Sequence, residues 1–224
     1  MATAGDLIEA AKAGDESTVR RLLKADPALA SCRMPNGESP LMCALYRGHM
    51  NVVAALLDAG ADVDVFAAAA LGRMSDLESA VAWPGTPNAY AYDGWTPLHL
   101  AAFFGRRPAA ERLIGAGAPL DAVSRNSIRN TPLHAATAGN HPEVALLLIS
   151  HGADVSARDA GGHTPLHIAA ENGLLDVVNA LLARGADPLA VDAEDRTPLA
   201  RAAARNRNDV IDALTTPDSP KPNA

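Results

Sequence analysis

The chain has 224 residues, enough for one large domain or two small ones with a buried core. It is 48% hydrophobic but only 4% aromatic, and alanine makes up roughly a fifth of it, which favours closely packed helices over a β-sandwich or barrel. The formal charge of −7 argues against a chain built mainly to bind nucleic acid. Two cysteines cannot form a disulfide framework, so they favour a reducing compartment.

No segment of the sequence predicts export or membrane insertion. The N-terminal MATAGDLIEA has neither the basic region nor the long apolar region of a secretory signal. The longest strongly apolar stretch, residues 144–149, is far shorter than a membrane span. A soluble cytoplasmic protein without a membrane partner is therefore expected.

A repeated pattern runs along the whole chain. Thr-Pro-Leu recurs at Thr96, Thr131, Thr164 and Thr197, with a Ser-Pro-Leu variant at Ser39. Runs of small residues end at Gly14, Gly48, Gly72, Gly105, Gly139, Gly173 and Asn206, which are 34, 24, 33, 34, 34 and 33 residues apart. Periods of this length are typical of stacked repeat proteins.

The best-formed unit shows how the pattern specifies structure. Thr164 is a good helix N-cap, Pro165 fits the first helical turn, and Gly173 supplies a left-handed stop. A second amphipathic helix then ends at Gly185, and residues 186–196 return as an extended hairpin to the next Thr-Pro. Neither helix can bury its apolar face alone, so stacking into a solenoid is predicted.

The repeat period divides the chain into seven helix pairs between two disordered ends. In chain order we expect a disordered start at 1–4, a cap at 5–35, a repeat at 36–65, a degenerate repeat at 66–92, repeats at 93–126, 127–160 and 161–193, a terminal repeat at 194–215 and a disordered tail at 216–224.

The segments TPLHLAAFFG, TPLHAATAGNHPEV and HGADVSARDAGGHTPLHIAA resemble ankyrin repeats, and the resemblance covers about residues 5–214. It implies an all-α ankyrin-repeat solenoid of about seven helix-turn-helix units with short β-hairpin fingers. It also implies a non-catalytic scaffold or adaptor that binds a protein partner on its concave face of fingers and inner helices. We expect a natural protein of bacterial type, monomeric and without a cofactor.

Two departures from the period are notable. The 24-residue step from Gly48 to Gly72 leaves no room for a finger before the helix that starts near Phe66, so a gap in the row of fingers is predicted. The run TPLHAATAG is one residue shorter than TPLHLAAFFG, so the helix after Thr131 is expected to be slightly shifted.

Candidate chemical groups have structural interpretations. His99, His134 and His167 each follow the helix-start Thr by three positions, and we expect them to bond the hairpin and that Thr rather than a metal. Cys43 is expected to be a buried, inert thiol. Phosphate-binding, dinucleotide-binding and HExxH motifs are absent from the sequence, so no enzyme activity is expected. The alternative is a small-ligand sensor or enzyme with a pocket near residues 62–72; a nucleic-acid binder is less favoured.

The aromatic residues are concentrated in one window. Seven of the eight lie between Phe66 and Phe104. In ankyrin repeats the partner-facing positions are the finger tips and the exposed side of the inner helix. The partner-binding residues predicted on this basis are Tyr90, Tyr92, Asp93, Trp95, Phe103 and Phe104, flanked by Tyr46, Arg47 and Arg125. The alternative is that Trp95 and the two Phe fill the space left by the missing finger.

The predicted concave side also carries arginines. They are Arg33, Arg47, Arg125, Arg158, Arg196 and Arg205. One interpretation pairs them with neighbouring carboxylates such as Asp159 or Asp195. The other is a mildly basic groove that prefers a partner with acidic groups.

Overall fold

A computed structural model describes residues 3–215, and within that range it contains fourteen α-helices, two short 3-10 helices and no strand. The α-helices are α1 (Ala4–Ala13), α2 (Glu16–Ala25), α3 (Pro40–Tyr46), α4 (Met50–Asp58), α5 (Val65–Leu71), α6 (Met74–Val81), α7 (Pro97–Phe103), α8 (Arg107–Gly115), α9 (Pro132–Ala138), α10 (Pro142–Ser150), α11 (Pro165–Asn172), α12 (Leu175–Ala183), α13 (Pro198–Ala204) and α14 (Asn208–Thr215). The 3-10 helices are Pro27–Ser31 and Thr86–Asn88. The chain divides into two compact units, Met1–Ala67 and Ala68–Ala224.

The all-α class and the seven helix pairs are confirmed, but the fingers differ from the predicted β-hairpins. Each is a tight turn closed by a backbone bond, such as Ala91 N to Trp95 O at 2.8 Å and Asp159 N to His163 O at 3.0 Å. One closing bond is too few to form a strand ladder. We name the fingers of the second unit by residue number: finger A is 89–96, finger B is 122–131, finger C is 157–164 and finger D is 190–197.

Regular structure begins earlier than the sequence predicted. Thr3 caps α1, because its hydroxyl accepts from Asp6 N at 3.2 Å while the Asp6 carboxylate accepts from Thr3 N at 3.0 Å. Ala4 is the first helical residue. The expectation of disorder over 1–4 is therefore wrong for these two residues, and residues 1–2 and the predicted tail at 216–224 lie outside the described range.

In the first unit α1 packs against α3 and α2 packs against α4. The fully buried side chains include Leu7, Ile8 and Leu56. The imidazole of His49 lies over Gly14, where a Cβ would meet the ring, and its Nε2 is 3.1 Å from the carbonyl oxygen of Lys12. His49, the N-cap of the outer helix α4, thus contacts the end of α1, the inner helix of the previous helix pair.

In the second unit each inner helix contacts the next, from α7 through α9 and α11 to α13, and the outer helices α6, α8, α10, α12 and α14 do the same. Alanine pairs such as Ala101 with Ala102 and Ala169 with Ala170 are fully buried between them. Small side chains let the helix backbones approach closely. Alanine is therefore the spacer of the stack.

The short step in the repeat period gives a direct connection between α4 and α5. Residues 59–64 join the two helices, and the segment contains no finger turn. Asp64 replaces the usual cap, since its carboxylate accepts from Ala67 N at 2.8 Å. The predicted loss of a finger at this step is confirmed.

The irregularity after Thr131 has a different form from the one predicted. Gly139 has an ordinary helical φ of −73°, and Asn140 takes the left-handed conformation with φ 61°. Asn140 is nine residues after Thr131, as Gly173 is nine residues after Thr164. The helix is therefore neither short nor shifted. Gly139 is required for another reason: a Cβ there would overlap the carbonyl of Phe103.

Candidate functional site

Fingers A and B are joined through their backbones and side chains. Arg125 N donates to Gly94 O at 2.9 Å, and the Tyr90 hydroxyl donates to Val123 O at 3.3 Å. The guanidinium carbon of Arg125 lies 3.7 Å from the centroid of the Tyr90 ring, a cation–π contact. The structure therefore brings together two of the predicted residues, Tyr90 and Arg125.

Asp93 and Gly94 shape the tip of finger A. The Asp93 carboxylate accepts from Trp95 N at 3.2 Å, and its carbonyl accepts from the Asn126 amide at 3.0 Å. Gly94 has φ 82°, and a Cβ there would lie 2.7 Å from Asn126 N. Asp93 therefore holds the turn and the contact with finger B.

The predicted aromatic residues occupy two levels. Trp95 is only 8% exposed, and its ring stacks on His99 with centroids 5.9 Å apart and meets Phe103 edge-on at 5.1 Å. Phe103 in turn meets Phe104 edge-on at 5.2 Å, and both are half-buried. Tyr92 is 38% exposed. Trp95 thus lies within the packing, while Tyr92 and the two Phe retain accessible surface.

Tyr46 and Arg47 lie in the first unit, at the end of α3. Tyr46 is half-buried, and Arg47 is the exposed C-cap of that helix. In the alternative pocket region at 62–72, Asp64 is already engaged: it caps α5 and pairs with Arg33 at 2.7 Å. These contacts give Asp64 a structural role and do not favour a ligand site.

The regularly spaced histidines have the predicted structural role. His99 Nδ1 lies 2.8 Å from the Thr96 hydroxyl, and Nε2 lies 3.0 Å from the carbonyl of Asn130. Because a carbonyl only accepts, Nε2 carries the proton and Nδ1 accepts from Thr96. Burial lowers the pKa of His99 to about 4. His134 and His167 make the same pair of bonds, to Thr131 and His163 O and to Thr164 and Arg196 O.

Burial also lowers the pKa of His134 and of His167 below the usual value for a histidine. The three imidazoles therefore stay neutral, and each bonds the next finger along the chain. Among the described residues no group of three or more His, Cys, Asp or Glu side chains could hold a metal ion.

Both cysteines are free thiols. Burial raises the pKa of Cys43 to about 12, and the nearby Glu38 carboxylate, 3.3 Å from its sulfur, acts in the same direction. A thiol with so high a pKa is protonated and unreactive at neutral pH, as the sequence predicted.

Three of the six predicted arginines pair with carboxylates, which supports the first interpretation for those three, though Asp159 and Asp195 are not the partners; a fourth, Arg158, donates to backbone carbonyls. The contacts are Arg33 to Asp64 at 2.7 Å, Arg196 to Glu194 at 2.5 Å, Arg205 to Glu171 at 2.9 Å and Arg158 to the carbonyls of Gly162 and Val191 at 2.9 and 2.6 Å.

A buried ionic cluster between fingers C and D was not predicted. The side chain of Asp192 is fully buried and pairs with Arg201 at 2.6 Å; Arg201 also pairs with Glu171 at 2.9 Å and donates to His163 Nε2 at 2.5 Å. Burial alone would raise the pKa of Asp192, but hydrogen bonds from the Arg196 backbone and the Arg201 side chain hold it well below its usual range. The available signal was a charged residue at 201, because the equivalent positions of other inner helices carry uncharged residues, namely Cys43, Leu100, Ala135 and Ile168.

Trp83 was also not among the predicted site residues. It is 73% exposed, on the loop between α6 and finger A. The turn that carries it is closed by backbone bonds from Trp83 N to Ala80 O at 3.2 Å and from Thr86 N to Trp83 O at 3.3 Å. Exposure of this indole depends on the fold and could not be inferred from composition.

In the described part of the chain no helix is long and apolar enough to cross a membrane. A family model for ankyrin repeats (three copies) matches residues 7–123, 65–159, 121–192 and 157–224. Ankyrin repeats are general protein–protein interaction modules and are typically non-catalytic.

Curated relatives show the same similarity. The chain is 39% identical over 132 residues to human neurogenic locus notch homolog protein 4, covering 58% of this chain and 6% of that protein. It is 42% identical over 74 residues to human B-cell lymphoma 3 protein, covering 31% of this chain and 16% of that protein. It is 28% identical over 162 residues to mouse inversin, covering 68% of this chain and 15% of that protein. The chain thus spans less than a fifth of each of these relatives, and it belongs to the ankyrin repeat family.

Proposed function

We propose that this chain is a non-catalytic scaffold or adaptor that binds a protein partner on the surface formed by fingers A and B and the end of α7. The observation that carries the proposal is the layered aromatic group. Trp95 is buried and meets Phe103 edge-on, whereas Tyr92 is exposed and Phe103 and Phe104 are half-buried. Accessible aromatic rings on a rigid support are typical of binding hot spots.

Preorganisation supports the same proposal. The Tyr90 hydroxyl, the Arg125 guanidinium and the Asn126 amide all bridge the two fingers. A surface that is already ordered loses little conformational entropy when a partner binds. Tyr46 and Arg47, in the first unit, are proposed as further residues that contact the partner.

The proposal is tested by affinity capture with the full chain and matched variants. We expect a protein captured by the wild type to be lost with a Tyr92→Ala/Phe104→Ala double variant. It should be retained with Trp83→Ala, which removes an exposed indole outside the proposed surface. Circular dichroism should show that both variants are folded. Equal capture by the double variant would place the binding surface elsewhere.

We further propose that the chain acts as a monomer in the cytoplasm. Free thiols at Cys32 and Cys43 support a reducing compartment. Light scattering coupled to size exclusion measures the mass directly; a mass of about 23 kDa is expected, against the chain mass of 23.1 kDa, and twice that value would reject the monomer.

A further inference from the structure

Finger B is longer than its neighbours. Its closing bond, from Ser124 N to Asn130 O at 2.8 Å, joins residues six apart, whereas the bonds that close fingers A, C and D join residues four apart. The two extra residues form a tip that carries Ile128, which is 50% exposed, and Arg129, which has the left-handed φ of 53°.

The longer tip is held in place from both sides. The side-chain Oδ1 of Asn126 accepts from Ile128 N at 3.0 Å and from the Ser124 hydroxyl at 2.9 Å. Ala160 N of finger C donates to Ile128 O at 2.8 Å. An exposed aliphatic side chain and an arginine are therefore presented on a fixed backbone.

The charge on finger B is uncompensated. Arg125 and Arg129 are both exposed, and neither forms an ion pair with any described residue of the chain. Near fingers C and D, by contrast, Arg196, Arg201 and Arg205 pair with carboxylates. The same finger carries two exposed apolar side chains, Val123 and Ile128, which are 41% and 50% exposed.

We infer that the partner presents an acidic peptide segment to finger B, with carboxylates facing Arg125 and Arg129 and an apolar side chain against Ile128. This inference rests on the proposed function and names the chemistry of its partner. Charge complementarity of this kind sets specificity and association rate. An acidic peptide is favoured over nucleic acid because the net charge of −7 repels a polyanion with a charge on every nucleotide more strongly than a peptide with a few carboxylates.

The probe is a phage-displayed library of short random peptides, selected on the immobilised full chain. We expect enrichment of peptides in which Asp or Glu flank an apolar residue. Affinity for a selected peptide should fall about tenfold in R125Q/R129Q and should weaken as salt is raised. R112Q/R184Q, which removes one charge from α8 and one from the C-cap of α12, should bind as the wild type does. R125K/R129K should retain most of the affinity, and R129Q alone should weaken binding without removing the Tyr90 contact.

The outcomes separate this inference from the proposed function. Enrichment of neutral peptides whose binding needs Tyr92 but is unchanged in R125Q/R129Q would overturn the acidic partner and leave the proposed surface standing. Selected peptides that depend on neither the aromatic nor the arginine residues, or no enrichment at all, would overturn both. Stronger binding of a single-stranded oligonucleotide that is lost in R125Q/R129Q would assign the arginines to nucleic acid and overturn the inference.

Discussion

The ring of Trp95 meets the ring of Phe103 edge-on, with centroids 5.1 Å apart and an interplanar angle of 67°. This contact explains why neither interpretation of the aromatic window is complete. Trp95 is buried and supports Phe103, whereas Phe103 itself is only half-buried. Truncation of Trp95 would therefore test stability before it tested binding, and Tyr92 is the better probe of the surface.

The two tryptophans should be separable by fluorescence. Trp95 is 8% exposed and Trp83 is 73% exposed. We expect Trp83→Phe, which leaves Trp95, to emit at shorter wavelength and to resist iodide quenching. Trp95→Phe, which leaves Trp83, should show the emission of a water-exposed indole. Quenching of similar size in the two variants would contradict the layered arrangement.

Stability should depend on pH through the buried histidines. The pKa of His99 is about 4 in the folded chain, against 6.5 for the free side chain. As pH falls below 6.5 the unfolded state takes up the proton first, so the stability present above pH 6.5 is lost progressively toward pH 4. His99 alone should lower the free energy of unfolding by about 2 kcal/mol between pH 7 and pH 5.

Chemical denaturation of His99→Gln at these two pH values checks the histidine prediction. The variant should lose less stability on acidification than the wild type, although His134 and His167 still contribute with the same sign. His151→Gln, the same substitution at an exposed position, is the control for the change of side chain itself. If the free energy of unfolding of His99→Gln depended on pH as strongly as that of the wild type, the His99 imidazole would not be buried in its neutral form.

Gly94 should tolerate substitution less well than a glycine with the same backbone conformation in open space. Gly94 and Gly117 have φ values of 82° and 83°, but only at Gly94 would a Cβ meet another finger, at Asn126 N. Gly117→Ala should cost about 1 kcal/mol for its positive φ. Gly94→Ala should cost at least about 2 kcal/mol more. Thermal denaturation compares them, and equal losses would rule out the close approach of fingers A and B.

The end of α9 gives a second matched pair. Asn140 carries the left-handed conformation, so Asn140→Gly should leave the melting temperature nearly unchanged or raise it slightly. Gly139 has a helical φ, yet a Cβ there would overlap the Phe103 carbonyl. Gly139→Ala should therefore destabilise the chain by about 1–3 kcal/mol. An unchanged melting temperature in Gly139→Ala would show that the Phe103 carbonyl leaves room for a Cβ at this position.

The sequence by itself determined the features that are set within one repeat. The Thr-Pro caps, the glycine stops and the amphipathic helices depend on residues a few positions apart, so the period predicted seven helix pairs. The histidine role also followed, because the bond from His99 to the cap Thr96 is local and recurs with the repeat. The Gly48 to Gly72 step predicted the missing finger for the same reason.

Only the tertiary structure decided features that depend on the next repeat. Asp192 reaches Arg201 and Arg201 reaches Glu171, thirty positions away, so the pairing of charges could not be read from local spacing. Trp95 is buried and contacts Phe103, while Arg125 forms no ion pair on the longer finger B. Exposure and charge compensation arise where two repeats meet, because there the packing of one side chain removes water from another.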